Sequence, residues 1–114
     1  MIYENAYLYI TSGREEQFEQ ALRAAAPILE SAEGCRSVEL HRDVETPGAY
    51  LLRVGWASLE HHVEMFPRSE QAPRFAEAIE HFFAKALELR HFAADPVGTP
   101  GSPGSGGQAP APTP

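Results

Sequence analysis

The chain has one cysteine, one tryptophan, one lysine and one asparagine, and several of these scarcities exclude something. With Cys35 alone, neither an intrachain disulfide nor a multi-cysteine metal site can form, and a reducing, cytoplasmic setting is expected. Basic residues number 9 against 16 acidic ones, a net charge of −7. That sign disfavours phosphate backbones and anionic bilayers, so neither a nucleic-acid nor a membrane partner is expected. All the basic residues except Lys85 are Arg, which is a composition bias and marks no site. No apolar stretch approaches the roughly 18 residues a spanning helix needs, and no basic segment followed by an apolar run opens the sequence. The histidines include no i, i+4 pair of the helical metal-site kind. No bound metal is expected, although a single axial His on haem iron stays open.

What is present suits one small domain. At 114 residues with a hydrophobic fraction of 43%, the chain can bury a modest single core. From Ile2 to Thr11 the pattern alternates: Ile2, Ala6, Leu8 and Ile10 face one way, and Tyr3, Asn5, Tyr7 and Tyr9 the other. Period 2 with this aromatic content predicts a strand whose second face is too apolar for open water. Ser12 with Glu15 fits a capping box, and Phe18, Ala21, Leu22, Ala25 and Leu29 form the stripe of a helix ending at Gly34. Pro27 is expected to kink it. Alternation resumes from Cys35 to Glu45, with Val38, Leu40 and Val44 on the apolar side. Thr46-Pro47-Gly48 then turns the chain into YLLRVGW, which is apolar on both faces except at Arg53, as a central strand would be.

Ser58 is placed to cap a short helix ending at Pro67, on which Leu59, His62, Val63 and Phe66 share the inward face and His61 points to solvent. Ser69 caps the next helix, where Phe75, Ala78, Ile79, Phe82 and Ala86 share a face. Leu87 to Phe92 alternates as a last strand. From Asp95 to Pro114, 6 Pro and 5 Gly in 20 residues predict a disordered tail, leaving residues 1–94 as the folded domain. The order β-α-β-β-α-β is that of an α+β, ferredoxin-like sandwich. Its tyrosine-rich open face predicts a homodimer joined sheet to sheet, with Arg53 paired to an acid at that interface.

The segment ETPGAYLLRVGWASLEHHVEMFPRS, followed by RFAEAIEHFF and LRHF, resembles the antibiotic biosynthesis monooxygenase (ABM) domain family over about residues 2–92. The resemblance implies a dimeric α+β barrel with a pocket between sheet and helices in each subunit. Relatives of this kind include cofactor-independent oxygenases of polycyclic phenols and quinols, and haem-degrading proteins. Oxygenase relatives use an Asn on the first strand; here Ala6 stands at that position and Asn5 is one residue off it. The helix-Trp and helix-His positions of the haem-degrading members fall near Met65 and Phe75, so the resemblance implies that their triad is absent.

Two functions are therefore expected as alternatives. The first is a cofactor-independent monooxygenase of an aromatic or quinol-like molecule, with His62 as the catalytic base and Trp56, Phe66, Arg68, Phe75, Ile79 and Phe82 around the substrate. The second is a non-enzymatic binding protein for a hydrophobic metabolite or haem. Each residue also has a structural role to weigh: Trp56 as a sheet-to-helix anchor, His62 as a hydrogen-bonded core histidine, Arg68 as a surface charge, and Cys35 as an inert buried thiol.

Overall fold

The computed structural model describes residues 1–98. The expected disordered tail lies, from residue 99 onward, outside the described residues. The elements are β1 (Ile2–Tyr9), α1 (Glu15–Glu30), β2 (Cys35–Arg42), β3 (Ala49–Trp56), two short helical turns (His61–Met65 and Phe66–Arg68), α2 (Gln71–Ile79), a further turn (Glu80–Phe82) and β4 (Glu88–Ala93). The strands form one antiparallel sheet in the order β2-β3-β1-β4. This is the ferredoxin-like α+β fold, with the helices on one face. Within one chain the sheet is open, with β2 and β4 at its edges.

Alternation along β1 and β3 gives the sheet its two faces. Glu4, Ala6 and Leu8 on β1 and Ile10 just past its end, with Tyr50, Leu52, Val54 and Trp56 on β3, are buried beneath the helices. Phe18, Leu22, Ala25 and Leu29 of α1 and Phe75 and Ile79 of α2 close that layer into one core. The other face carries Tyr3, Asn5 and Tyr7, aligned in register with Gly55, Arg53 and Leu51 of β3 and with Phe92, Arg90 and Glu88 of β4. The β2–β3 turn forms as expected: the Ala49 N–H donates to the Thr46 carbonyl at 3.1 Å, and Gly48 takes a φ of 85°.

Several local expectations are corrected. Ser12 does not cap α1. The Arg14 N–H closes a turn onto Thr11, and Gly13 donates to the Glu15 carboxylate at 2.9 Å, so the helix starts after Arg14. α1, with Pro27 on its exposed side, ends at Glu30, four residues before Gly34. β2 ends at Arg42, leaving Val44 96% exposed in the loop. α2 stops at Ile79, so Ala86 lies beyond the apolar face and is exposed. On the open face of the sheet, Arg53 Nε donates to Asn5 Oδ1 at 3.2 Å and its guanidinium lies 4.8 Å from the centre of the Tyr3 ring.

Candidate active site

The segment after β3 is the least regular part of the fold and shapes the site. Ser58 Oγ accepts from the His61 N–H at 3.4 Å, so the expected cap forms, but the turn that follows is a π-helix. Its closing bond runs from the Phe66 N–H to the His61 carbonyl, five residues back. Such widened turns are often found at functional sites. Here the widening corrects the expected inward face. His62 and Phe66 turn onto the sheet, while Leu59 and Val63 face outward at 45% and 44% exposure. His61 is not free in solvent either: its Nδ1 is 2.8 Å from Ser58 Oγ, and its ring packs over Gly34. A Cβ at Gly34, whose φ is 85°, would collide with that ring. Gly34 thus ends the α1 connection and leaves room for the turn that carries His62.

His62 meets three side chains. Its ring stacks on Trp56 with centroids 5.2 Å apart and planes at 17°. Its Nε2 lies 3.2 Å from Glu4 Oε1, and its Nδ1 lies 2.7 Å from Nε2 of His91. The same Glu4 oxygen accepts from Trp56 Nε1–H at 2.9 Å. Strand register explains the meeting. Glu4 of β1 lies between Val54 of β3 and His91 of β4, and all three residues face the helices.

This environment inverts the usual charge preferences of an acid and a base. Glu4 is only 7% exposed, and burial pushes its carboxyl up to about 7, against the smaller pull of the Trp56 hydrogen bond toward the ionised form. Burial, with a lesser contribution from His91, pushes His62 down to about 4. At neutral pH His62 is therefore uncharged while Glu4 is near its midpoint.

Beside the cluster is a cavity of about 270 Å³, with Glu4, His62 and Glu80 as its polar lining and Phe66, Phe75, Ile79, Phe83 and Leu87 among its apolar walls. Its size falls just below the usual range for ligand pockets, and its few polar groups among apolar walls follow the usual pattern. Of the residues expected around a substrate, His62, Phe66, Phe75 and Ile79 line it. Trp56 stands behind them, wholly buried, with its ring 5.4 Å from that of Phe66. Phe82 is core, packed against Phe18 at 5.9 Å under the Arg14 guanidinium. Arg68 lies exposed in its helical turn.

Glu4 and His91 join the site without a motif to mark them in the sequence. The available signal was parity, since Glu4 occupies an inward position of β1 and His91 an inward position of β4. A larger groove of about 570 Å³ lies between α1 and β2, far from this cluster. Its carboxylate, Glu19, is already held by Arg42 and by the Tyr50 hydroxyl at 2.6 Å, which bring it down to about 2. Among the described residues no group of three His, Cys, Asp or Glu side chains is arranged to hold a metal ion.

A four-stranded antiparallel sheet backed by helices, with a cavity between the layers, places the molecule among the small α+β proteins of ferredoxin-like topology. The family model for antibiotic biosynthesis monooxygenase matches residues 1–80, and the chain belongs to that family. It is 35% identical over 92 residues to the uncharacterized protein YczJ of Bacillus subtilis (strain 168), covering 81% of this chain and 97% of that one. A Bordetella bronchiseptica protein named for the same monooxygenase family has a crystal structure similar to this fold, with a TM-score of 0.76 and 32% identity over 79% of this chain and 92% of that one. A Caulobacter crescentus protein of the same designation shares the fold alone, with a TM-score of 0.70 and 19% identity over 83% of this chain and 90% of that one.

Proposed function

We propose that this protein is a cofactor-independent monooxygenase that oxidises a small aromatic or quinol-like molecule held between the sheet and α2. The observation that carries this reading is the cavity itself, a largely apolar chamber with a paired carboxyl and imidazole in its lining. A ligand with a weakly acidic O–H or activated C–H loses its proton to that pair, and the resulting anion is electron-rich enough to react with O₂. For an activated methylene the balance is R₂CH₂ + O₂ → R₂C=O + H₂O, with all electrons supplied by the substrate. The His62–Glu4 pair accepts the proton in this reading, and Phe66, Phe75 and Ile79 form the walls against which a flat ring stacks. Trp56 and Phe82 support those walls from behind, and Arg68 acts from the surface outside the cavity.

The family supports an oxygenase in general terms; the substrate class rests on the cavity. A homodimer joined through the open sheet face completes the proposal. That face carries Tyr3, Tyr7, Leu51 and Phe92, the last 51% exposed. Among the described residues no helix is long and apolar enough to cross a membrane. A cytoplasmic setting is the one that suits a lone, half-buried Cys35.

Oxygen uptake by the purified protein over a panel of anthrones and naphthoquinols tests the reading. Rates above the uncatalysed reaction that fall in His62→Ala support it; no acceleration, or an unchanged rate in the variant, removes it. The alternative is a non-enzymatic protein that binds a hydrophobic metabolite or haem. It predicts ligand binding with no oxygen uptake. Its haem version is weakened by the cluster, because both His62 nitrogens already face partners.

A further inference from the structure

We propose that Glu4 is the proton acceptor of this site, and that His62 and His91 are positioning residues that present its free oxygen to the ligand. The proposal rests on the aromatic-ligand reading of the cavity and changes which residue does the chemistry.

The geometry separates the two roles. Each ring nitrogen of His62 is directed at a protein partner, Nε2 at Glu4 and Nδ1 at His91, which leaves no lone pair for a ligand. Glu4 lines the cavity and uses one oxygen for two partners, Trp56 and His62. Its Oε2 has no hydrogen-bond partner among the described residues. A buried carboxylate oxygen with no partner beside a cavity is a costly arrangement unless something else comes to it.

Directionality fixes the tautomers. Facing an ionised Glu4, His62 carries its proton on Nε2, so Nδ1 must accept and His91 must donate from its own Nε2. Oε1 then receives the indole N–H, with the imidazole Nε2 lying 3.2 Å from the same oxygen. When a ligand O–H gives its proton to Oε2, that bond breaks, its electron pair stays on the ligand as the anion, and the carboxylate becomes a carboxylic acid. Oε1 keeps the indole donor and the imidazole beside it throughout, so no side chain turns and no tautomer changes. A base held in this way transfers the proton with little reorganisation. Burial also gives Glu4 the proton affinity required, since a general base works best near the operating pH. The other titratable groups near Glu4 are His62 and His91, Cys35 at the start of β2, and Glu80 across the cavity. The ligand class this selects is a neutral, weakly acidic phenol or quinol, because a carboxylate ligand would bring a second negative charge to Glu4.

The lone tryptophan makes the proposal testable without turnover, since Trp56 bonds Glu4 and stacks on His62. The expected result is a pH-dependent change in Trp56 fluorescence, centred near 7 in the free protein and absent in Glu4→Gln, which keeps an acceptor for the indole. Saturating 2-naphthol, which donates to the carboxylate, should lower the midpoint by about one unit or more, and 2-methoxynaphthalene, which cannot donate, should not. With any substrate that is turned over, Glu4→Gln should lose about 100-fold in kcat with little change in KM. His62→Gln and His91→Gln should instead move the inflection of the pH–rate profile. A transition that persists in Glu4→Gln, or naphthol binding that leaves the midpoint unmoved, overturns the assignment to Glu4 while the ligand reading stands. Failure of naphthol to bind at all overturns both. Should Glu4→Gln not fold, the naphthol and methoxynaphthalene arms on the unaltered protein still decide.

Discussion

His62 lies flat on Trp56, with ring centroids 5.2 Å apart, and both rings turn an edge toward the same oxygen of Glu4. Neither ring can shift without loosening the other's hold on the carboxyl, so the three side chains act as one unit joining β1, β3 and the π-helical turn.

The buried carboxyl gives a signed prediction for stability against pH. Glu4 titrates near 7 when folded against 4.5 ordinarily, so between those values the folded state binds more protons than the unfolded one. Stability must therefore fall as pH rises through that window. Glu4→Gln removes this dependence. The variant should gain on the unaltered protein from pH 5 to pH 8, by on the order of 3 kcal/mol at most, as chemical denaturation at each pH would show. The lowered affinity of His62 works in the opposite direction, adding stability as pH rises from about 4, but it is present in both proteins. A difference that does not grow with pH would mean that Glu4 is ionised and well solvated in the folded state.

Trp56→Phe separates anchoring from hydrogen bonding. The substitution removes a buried donor and part of a wholly buried ring. A loss of about 2–4 kcal/mol is expected in denaturant unfolding. Because the indole N–H favours the ionised form of Glu4, the pH window described above should also move upward in this variant. A loss below about 0.5 kcal/mol would show that Trp56 is not the anchor its burial indicates.

The strand pattern, the Thr46-Pro47-Gly48 turn and the central place of β3 were legible in the sequence, because each rests on local chemistry: alternation, proline φ and glycine freedom. The cluster was legible only in part. Trp56, His62 and Phe66 stood out as unusual residues close together in sequence, whereas Glu4 and His91 come from opposite ends of the chain and are joined only by the β1–β4 register. A charge at an inward position of β1 was the one available sign of Glu4. The π-helical turn left no local sign, because its wider bond depends on His62 and Phe66 both finding partners on the sheet. Leu59 and Val63 were therefore expected inside, where a regular helix would have put them.

Gly34→Ala should damage the site from a distance. It forces a side chain into positive φ and into the space of the His61 ring, which holds the turn carrying His62. The backbone term alone costs about 1 kcal/mol or more, and the collision adds to it. The expected outcome is a loss of about 2–4 kcal/mol, with Trp56 fluorescence altered even where the protein remains folded. Gly13→Ala is the control. Its φ of 89° imposes the same backbone strain, but nothing lies within 4 Å of the added carbon, so it should cost less and leave the fluorescence unchanged.

The open sheet face supplies the last prediction. Tyr3, Tyr7, Leu51 and Phe92 lie on the side away from the helices, in the two central strands and along β4. On a lone subunit this face would leave Phe92 half exposed beside two tyrosines and a leucine, a contiguous aromatic and apolar patch of the kind that marks an interface. Light scattering at micromolar concentration should therefore give twice the chain mass. Leu51→Glu, which puts a charge in the middle of the face, should give the single-chain mass with the helical signal intact, because Leu51 points away from the core beneath the helices. A single-chain mass for the unaltered protein would refute the dimer. A dimer undisturbed by Leu51→Glu would place the contact elsewhere, with the exposed edges of β2 and β4 the next surfaces to examine.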